Sequence, residues 1–427
     1  MDIDNLHKLF LECNSISIDT RKIIPNSMFC ALKGNNFDAN SFAQSALEKK
    51  AKYVIIDNED FYVDNRTILV NDSLETLQQL AKFHRNYLKV PIIALTGSNG
   101  KTTTKELINC VLSEKYKTSA TIGNLNNHIG VPLTLLSFTE ETEIGIVEMG
   151  ANHQKEIEFL CEIAQPNFGL ITNFGKAHLE GFGGIEGVII GKSEIYNYLF
   201  DNNKIAFVNL DDKLQVEKSN NLEKITFGLK NPIANLNILS ITANPLVTIE
   251  YENNSIHSKL IGLYNSNNIN NAVLIGKYFK VSDLEIKNAI ENYIPENNRS
   301  QLLIKNSNEI ILDAYNANPS SMKVAIDNFL QLKKQNKIII LGDMFELGSE
   351  SNFEHQIIIN SLIKNNGIAC YFIGKYFFEC KIKNENLSFF ETFNDFSLFL
   401  NDQKPKNSFI LIKGSRGMAL EKTLDLI

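Results

Sequence analysis

Residues 95–105 read Leu-Thr-Gly-Ser-Asn-Gly-Lys-Thr-Thr-Thr-Lys and follow an apolar run at 90–95. The pattern predicts a strand, a glycine turn and a helix start, which together can hold a nucleotide triphosphate. Backbone N–H groups of such a turn and of the helix N-terminus face the phosphate oxygens. Lys101 can reach the β- and γ-phosphates, and Thr102 can place its hydroxyl on Mg²⁺. A complete P-loop has a glycine where Leu95 stands, so this is a shortened variant, and a lysine-bearing turn without a ligand is the alternative.

The predicted helix covers residues 102–112. Gly97 and Gly100 let the backbone approach a phosphate closely because they carry no Cβ. We therefore assign nucleotide binding to Gly97, Ser98, Asn99, Gly100, Lys101, Thr102 and Thr103.

A carboxylate ends the next apolar strand predicted after this loop, at 144–148. Glu148 lies at the strand end, where it is placed to hold Mg²⁺, a hard ion that prefers oxygen ligands. The alternative is an exposed acid with no ligand.

Two further residues, His178 and Lys192, have side chains that could take part in catalysis, but their neighbouring residues do not indicate such a role. His178 follows a strand predicted at 168–172, and a lone histidine is more often structural. Lys192 opens a helical stretch, where a solvated lysine is the ordinary interpretation. Spacing alone leaves both alternatives open.

Polar loops also follow predicted strands nearer the C-terminus. Residues 313–319 read Asp-Ala-Tyr-Asn-Ala-Asn-Pro, which fits either a ligand-facing loop or an Asx-rich turn that caps a helix. Residues 342–348 form a similar loop. Lys413 and Arg416 are candidates to receive an anionic group, or are surface residues.

Composition limits the class of protein. With 427 residues the chain is too long for one core, so two to four domains are expected. A net charge of −7 disfavours nucleic-acid binding and a polybasic membrane patch. The six cysteines are scattered without a Cys-x-x-Cys pair, which is typical of reduced thiols. With no signal peptide or membrane span evident, we expect a cytoplasmic protein. No amphipathic heptad or other assembly signal is evident, so we expect a monomer.

Strands and helices alternate in three regions, which predicts an α/β protein with parallel sheets. We call them the first region (1–88), the middle region (89–296) and the third region (297–427), with a linker at 293–298. Further predicted strands lie at 27–32, 53–56, 204–209, 309–313, 337–342, 370–373 and 408–412, with a β-like stretch at 236–260. Further helices are predicted at 41–49, 73–87 and 267–279 and from near Ser320, Ser351, Asp395 and Arg416.

Taken together, these segments resemble the Mur ligases, the ATP-dependent amide-forming enzymes of peptidoglycan synthesis, over essentially the whole chain. Segments 96–105 and 148–150 and the surroundings of His178 resemble the general signature. The D-alanyl-D-alanine-adding members are most similar at 123–134, 315–319 and 341–348. The uridine-nucleotide end is similar at 17–21 and 29–34.

The resemblance implies a first domain that recognises UDP, a central P-loop domain that binds ATP and two Mg²⁺ ions, and a Rossmann-like third domain. The implied substrates are UDP-N-acetylmuramoyl-tripeptide and D-alanyl-D-alanine. ATP would phosphorylate the tripeptide carboxylate, and the dipeptide amine would then attack the acyl phosphate. Two anions must meet in this reaction, so positive charge between them is required.

Site roles also follow from the resemblance. It implies catalytic roles for Lys101, Glu148, His178 and Lys192, and metal binding by Thr102, Glu148, His178 and Lys192. Lys192 matches a lysine that carries a carbamate, although Gly191 stands before it where alanine is usual. Contacts with ATP are implied for Asn265, Asn268, Arg299 and Asp313, and substrate contacts for Thr20, Arg21, Asn126, Asn127, Tyr315, Asn316 and Asn318. Asn316 and Asn318 fit either the domain interface or the dipeptide site.

Two other functions compete with this one. A relative such as folylpolyglutamate synthase shares the ATP half but is not expected to combine the Thr20-Arg21 segment with the 315–319 loop. A nucleotide-binding homologue that has lost catalysis is the other. It is disfavoured by the joint presence of Lys101, Thr102, Glu148, His178 and Lys192.

Overall fold

A computed structural model describes residues 2–296, 298–365 and 367–427. Its three large sheets follow one another along the chain, one in each predicted region. Every strand predicted from the sequence is present, with ends displaced by two residues at most. The α/β class is therefore confirmed. The predicted linker and the start of the third region include residue 297, which lies outside the described residues.

The first region holds a four-stranded parallel sheet in the order β1-β2-β5-β6 and a small hairpin, β3–β4. Its strands are β1 (Ile16–Ser17), β2 (Met28–Cys30), β3 (Lys33–Gly34), β4 (Phe37–Asp38), β5 (Tyr53–Ile56) and β6 (Thr67–Leu69). Its helices are α1 (Ile3–Leu11), α2 (Ala43–Glu48) and α3 (Ser73–Leu88).

The middle region holds a nine-stranded sheet in the order β15-β14-β13-β12-β11-β10-β7-β9-β8, antiparallel only among β13, β14 and β15. Its strands are β7 (Ile92–Thr96), β8 (Thr118–Ala120), β9 (Ile144–Glu148), β10 (Phe168–Ile171), β11 (Ile205–Asn209), β12 (Glu223–Leu229), β13 (Leu236–Ala243), β14 (Leu246–Tyr251) and β15 (Asn254–Ile261). Its helices are α4 (Lys101–Ser113), α5 (Gly130–Leu135), α6 (Glu156–Ala164), α7 (Leu179–Phe182), α8 (Ile185–Asp201), α9 (Lys213–Lys218), α10 (Ser266–Tyr278) and α11 (Asp283–Asn292).

The third region holds a six-stranded sheet in the order β16-β17-β21-β18-β19-β20, parallel except for the edge strand β16. Its strands are β16 (Gln301–Lys305), β17 (Asn308–Asp313), β18 (Lys337–Gly342), β19 (Ala369–Ile373), β20 (Leu387–Phe390) and β21 (Phe409–Lys413). Its helices are α12 (Pro319–Gln331), α13 (Ser351–Leu362), α14 (Lys375–Glu379) and α15 (Phe393–Asp402).

The helix predicted from near Arg416 is wrong. Two 3₁₀ turns, Arg416–Met418 and Leu420–Asp425, take its place. Gly417 weakens a helix here, and Ala419 between the turns has a left-handed φ of 48° that no α-helix accommodates.

Helix α3 joins the first region to the middle one. The Arg85 guanidinium donates to the carbonyl oxygens of Ala164 (3.0 Å) and Gln165 (3.1 Å). The guanidinium also donates to the Asn167 side chain at 3.0 Å. Burial lowers the pKa of Arg85. These carbonyls follow the end of α6, so a buried cation meets the negative end of that helix.

None of the helices in the described parts of the chain is both long and apolar enough to cross a membrane.

Two buried histidines join α1 to α3. His7 Nε2 lies 3.0 Å from His84 Nδ1, and His84 Nε2 lies 2.9 Å from the carbonyl oxygen of Phe138. Because a carbonyl only accepts, His84 carries its proton on Nε2 and accepts from His7 at Nδ1. Burial, and then the neighbouring His84, lower the pKa of His7 to about 4.

We expect acid to weaken this contact. A histidine whose pKa falls on folding contributes stability that is present above its unfolded value, 6.5, and is lost as the pH falls towards 4. When the pH falls from about 7 to about 5, the unfolding free energy of the unchanged chain should drop by about 1 kcal/mol more than that of His7→Gln. This figure is reduced to account for solvent screening. Glutamine keeps a donor for His84 but does not titrate.

Urea unfolding at both pH values, followed by circular dichroism, measures the difference. His257→Gln is the control, since His257 is exposed on β15, and it should behave like the unchanged chain. Equal pH dependence in His7→Gln and the unchanged chain would contradict the assignment.

Candidate active site

A cleft of about 1120 Å³ lies where strand ends of the middle and third regions face each other. Gln78 of the first region also lines it. In parallel sheets, ligands bind beyond the carboxyl ends of the strands, and this cleft occupies that position. It brings together most of the residues singled out in the sequence: Ser98, Asn99, Gly100, Lys101, Thr102, Thr103, Asn126, Asn127, Glu148, His178, Asn265, Asn268, Arg299, Asp313, Tyr315, Asn316 and Asn318.

The phosphate loop depends on its two glycines. Gly97 has φ +143°, and a Cβ there would lie 2.0 Å from Thr172 Oγ1. Gly100 has φ +79°, and a Cβ there would lie 2.6 Å from Asn268 Oδ1. Helix α4 begins at the next residue, so the loop leads directly into a helix N-terminus that favours anions.

The Lys101 ammonium folds back onto this loop. Its Nζ donates to the Gly97 carbonyl oxygen at 2.7 Å. Burial lowers the pKa of Lys101, the charge of Glu148 raises it, and the charge of Arg299 lowers it. A cation of the middle region and one of the third region therefore act on the same space.

Glu148 presents a carboxylate oxygen that lacks a partner. Asn126 Nδ2 donates to its Oε1 at 2.8 Å, whereas its buried Oε2 has no hydrogen-bond partner among the described residues. The Asn126 carbonyl also accepts from Gly150 N at 2.7 Å, which ties the 123–134 loop to the end of β9. A buried, half-satisfied carboxylate beside a phosphate loop is suited to a cation.

No group of three or more His, Cys, Asp or Glu close enough to hold a metal ion occurs among residues 2–296, 298–365 and 367–427.

Lys192 is buried behind the cleft rather than solvated. Its side chain, on α8, is 1% exposed. Its Nζ donates to the Ala151 carbonyl oxygen at 3.3 Å and lies 5.0 Å from the ring centroid of Phe182. Burial, and then the charge of Lys101, hold the pKa of Lys192 well below its ordinary value.

The packing of Phe182 also explains the glycine before this lysine. A Cβ at Gly191 would lie 2.5 Å from Cε1 of Phe182. The aromatic ring therefore occupies the space that an alanine methyl group would need.

Asn265 and Asn268 hold two helices together. Asn268 Nδ2 donates to Asn265 Oδ1 at 2.8 Å, and Asn268 Oδ1 accepts from Thr104 Oγ1 at 3.0 Å. These bonds join the start of α10 to α4 beside the phosphate loop. Both asparagines line the cleft, and the hydrogen bonds of their side chains hold its wall in place.

In the third region, Arg299 and Asp313 have contrasting surroundings. The Arg299 guanidinium stacks 3.6 Å from the Tyr315 ring centroid, and its buried Nε has no hydrogen-bond partner among the described residues. Asp313 accepts from Lys413 Nζ at 2.5 Å. Lys413 is 2% exposed and also donates to the Asn316 carbonyl at 3.2 Å. Lys413 thus positions the 313–319 loop and is neither a surface residue nor a free anion receptor.

Two loops join the middle region to the third. Asn318 Nδ2 donates to Asn99 Oδ1 at 2.7 Å, and Lys176 N donates to Ser320 Oγ at 2.8 Å. Asn318 also caps α12 through Ser321, so the turn predicted as a helix cap and the cleft-facing loop are one structure.

The sequence analysis did not identify three residues of this junction, Lys176, Glu346 and Glu354, as functional. His178 Nδ1 bonds to Glu346, and Lys176 Nζ lies 2.5 Å from Glu354 Oε1. The available signals were the closeness of Lys176 to His178 and the place of Glu346 in the 342–348 loop.

Thr20 and Arg21 lie outside the lining of the cleft. They form a 3₁₀ turn in the first region that is capped by Asp19. The exposed Arg21 guanidinium donates to both Asp19 oxygens at 2.9 Å, and this bonding lowers the pKa of Asp19 to about 2.

Comparison with known proteins gives consistent results along the chain. Residues 95–276 match the Mur ligase middle domain, and residues 298–416 match the Mur ligase glutamate ligase domain. The UDP-N-acetylmuramoyl-tripeptide–D-alanyl-D-alanine ligase of Bacillus subtilis is 34% identical, over 97% of this chain and 93% of its own. The crystal structure of MurF from Acinetobacter baumannii has a TM-score of 0.87 at 29% identity, covering 99% of this chain and 98% of that chain. MurF ligase from Thermotoga maritima, in complex with ADP, has a TM-score of 0.84 at 26% identity, covering 98% and 97%.

Replacing Gly97 by alanine should weaken ATP binding at least tenfold, about 1.4 kcal/mol. The added Cβ would collide with Thr172, and the backbone conformation is one that L side chains rarely adopt. Isothermal calorimetry measures the affinity. Gly367→Ala is the matched control, because φ there is +84° but nothing lies within 4 Å of a Cβ. It should bind ATP normally, and normal binding by Gly97→Ala would disprove the role of this turn.

Proposed function

The chain belongs to the Mur ligase family, and on that premise we propose that it adds D-alanyl-D-alanine to UDP-N-acetylmuramoyl-tripeptide at the expense of ATP. The observation that carries the proposal is the cleft itself. It places a phosphate loop with Lys101 and Glu148 opposite the third-region residues Arg299 and Asp313. Relatives that match 97% of this chain and are named UDP-N-acetylmuramoyl-tripeptide–D-alanyl-D-alanine ligase support this substrate pair.

The reaction needs two anions to approach each other. The tripeptide carboxylate attacks the γ-phosphorus of ATP, so that an O–P bond forms, the bond to ADP breaks and an acyl phosphate results. The dipeptide amine then adds to the acyl carbon and loses a proton. The tetrahedral intermediate expels phosphate and leaves the amide. Lys101 and Arg299 face this space from opposite walls and would stabilise the negative charge.

Thr102, Glu148, His178 and Lys192 are the residues that would hold Mg²⁺. The fit rests on Glu148, whose buried Oε2 has no partner among the described residues. When bound, the metal would neutralise phosphate charge. This chain orients the carboxylate through Asn126, which holds its other oxygen.

Lys192 would join this set as a carbamate. A neutral amine is the form that attacks carbon dioxide, and burial lowers the pKa of the Lys192 amine in the direction that favours this form. The new N–C bond and the loss of a proton give an anionic oxygen ligand where an ammonium would repel Mg²⁺.

The first region would bind the UDP end through Thr20 and Arg21. Asn126 and Asn127 lie along the cleft towards the phosphate loop and would contact the peptide stem. Asn265 and Asn268 would border the nucleotide. Tyr315, Asn316 and Asn318 would face the dipeptide or the closed interface.

We propose that the chain acts as a monomer. ATP and a UDP-linked precursor are needed together, which favours a cytoplasmic site of action. Folylpolyglutamate synthase remains the alternative ligase, but the named relatives cover nearly the whole chain and disfavour it.

Phosphate release from ATP should require both the UDP-linked tripeptide and D-alanyl-D-alanine, with a pentapeptide product found by mass spectrometry. Lys101→Ala should abolish both signals, because the lysine is placed to hold the transferred phosphate. Lys213→Ala is the control, as Lys213 is exposed and also begins a helix of the middle region. Phosphate release without any tripeptide would refute the ligase assignment.

Replacing Lys192 by alanine should lower ligation by about 100-fold or more. Short carboxylates such as acetate should restore part of the rate, because they can supply the missing oxygen ligand. Lys192→Arg keeps a cation but cannot form the carbamate, and it should stay inactive.

Carbon-13 NMR of the ligand-free chain with labelled bicarbonate gives a second measurement. A carbamate signal is expected in the unchanged chain and not in Lys192→Arg. Full activity of Lys192→Ala without added carboxylate would exclude the role, as would the same signal in both proteins.

A further inference from the structure

His178 of the middle region receives its hydrogen-bond partner from the third region. Its Nδ1 bonds to a carboxylate oxygen of Glu346. An ionised carboxylate only accepts, so Nδ1 must carry the proton. His178 lines the cleft, and Nε2 is then the ring atom left for a ligand there.

The two loops also meet through their backbones. Glu180 N donates to the Glu346 carbonyl oxygen at 3.3 Å. His178 and Glu346 both adopt left-handed φ values, 54° and 62°, which non-glycine residues seldom adopt. A Cβ at Gly348 would lie 3.2 Å from the Glu180 side chain, so little space separates the loops.

An ion pair between a half-exposed lysine and a buried glutamate holds the same junction. Lys176 Nζ lies 2.5 Å from Glu354 Oε1, and the Glu354 side chain is only 4% exposed. Within the described parts of the chain, Lys176 is the one cation in salt-bridge contact with this carboxylate. Removing the partner of a buried charge is costly, so the pair favours the arrangement in which the two regions touch.

We propose that Glu346 is a positioning residue for His178 and that it acts only when the third region is closed against the middle one. Glu346 fixes the Nδ1–H form, and the ring then offers Nε2 to the metal or phosphate groups in the cleft. Carboxylates commonly orient metal-binding histidines in this way. The inference rests on the proposed function, in which His178 belongs to a metal site.

Such a dependence suits the chemistry. An acyl phosphate is destroyed by water, and closure excludes water from the cleft. If His178 is correctly presented only after closure, the site is complete only when the intermediate is protected.

Nitrogen-15 NMR of the ligand-free full chain at about pH 8 tests the proposal. The chain has seven histidines, and His178→Gln identifies the signal. His178 should show the Nδ1–H tautomer in the unchanged chain. Glu346→Ala should move it towards Nε2–H, whereas Glu346→Gln should keep Nδ1–H because the amide oxygen still accepts. Lys176→Ala should move it in the same direction as Glu346→Ala, since the ion pair is lost.

Glu350→Ala is the matched control, since Glu350 is an exposed glutamate four residues further along the chain, and it should leave the signal unchanged. An unshifted tautomer in Glu346→Ala would overturn the positioning role, and an unshifted one in Lys176→Ala would overturn the dependence on closure. The NMR measurement needs no substrate, so it stands apart from the ligase assay. In that assay Glu346→Ala should lower kcat by about 10- to 100-fold while leaving the KM for the UDP substrate nearly unchanged.

Discussion

The burial of strand β7 between two parallel neighbours determines where the rest of the site lies. All five of its residues are buried, with β9 and β10 paired on either side. Because the three strands run in one direction, their carboxyl ends emerge at one edge of the sheet. That edge carries the phosphate loop, Glu148 and the segment leading to His178. The third region repeats the arrangement, with Asp313 and Lys413 paired at the ends of β17 and β21.

Three buried lysines differ in their hydrogen-bond and ion-pair partners, and these partners distinguish a structural lysine from a reactive one. Lys413 has a carboxylate at 2.5 Å, and Lys105 donates to the Thr121 carbonyl at 2.8 Å with Glu106 3.7 Å away. Lys192 has a long bond to one carbonyl and an aromatic ring. Burial with so little compensation disfavours the ammonium form, and the neutral amine is the nucleophilic form. The low compensation at Lys192 is thus the basis of its proposed chemistry.

Sequence patterns predicted the buried central strands well, because a strand buried on both faces is a continuous apolar run bounded by turn residues. They failed where exposure alternates or runs are short: the parallel strands β8, β12 and β20, the antiparallel edge strand β16 and the 3₁₀ turns from Arg416 carry no such signal. At the site, the residues on strand ends were predictable because their position follows from the strand. Glu346 and Glu354 were not, since their roles depend on how two distant segments meet in space. Local sequence contains no information on that contact.

The two walls of the cleft are incomplete in opposite ways. Glu148 in the middle region has a buried oxygen without a donor, and Arg299 in the third has a buried N–H without an acceptor, among the described residues. Each such group costs about 1–3 kcal/mol when left unsatisfied. Under the proposed function, a triphosphate with magnesium would bring a cation to the carboxylate and an anion to the guanidinium, so one ligand would satisfy both walls. Neither region could gain both contacts alone, and nucleotide binding would therefore be coupled to the contact between them.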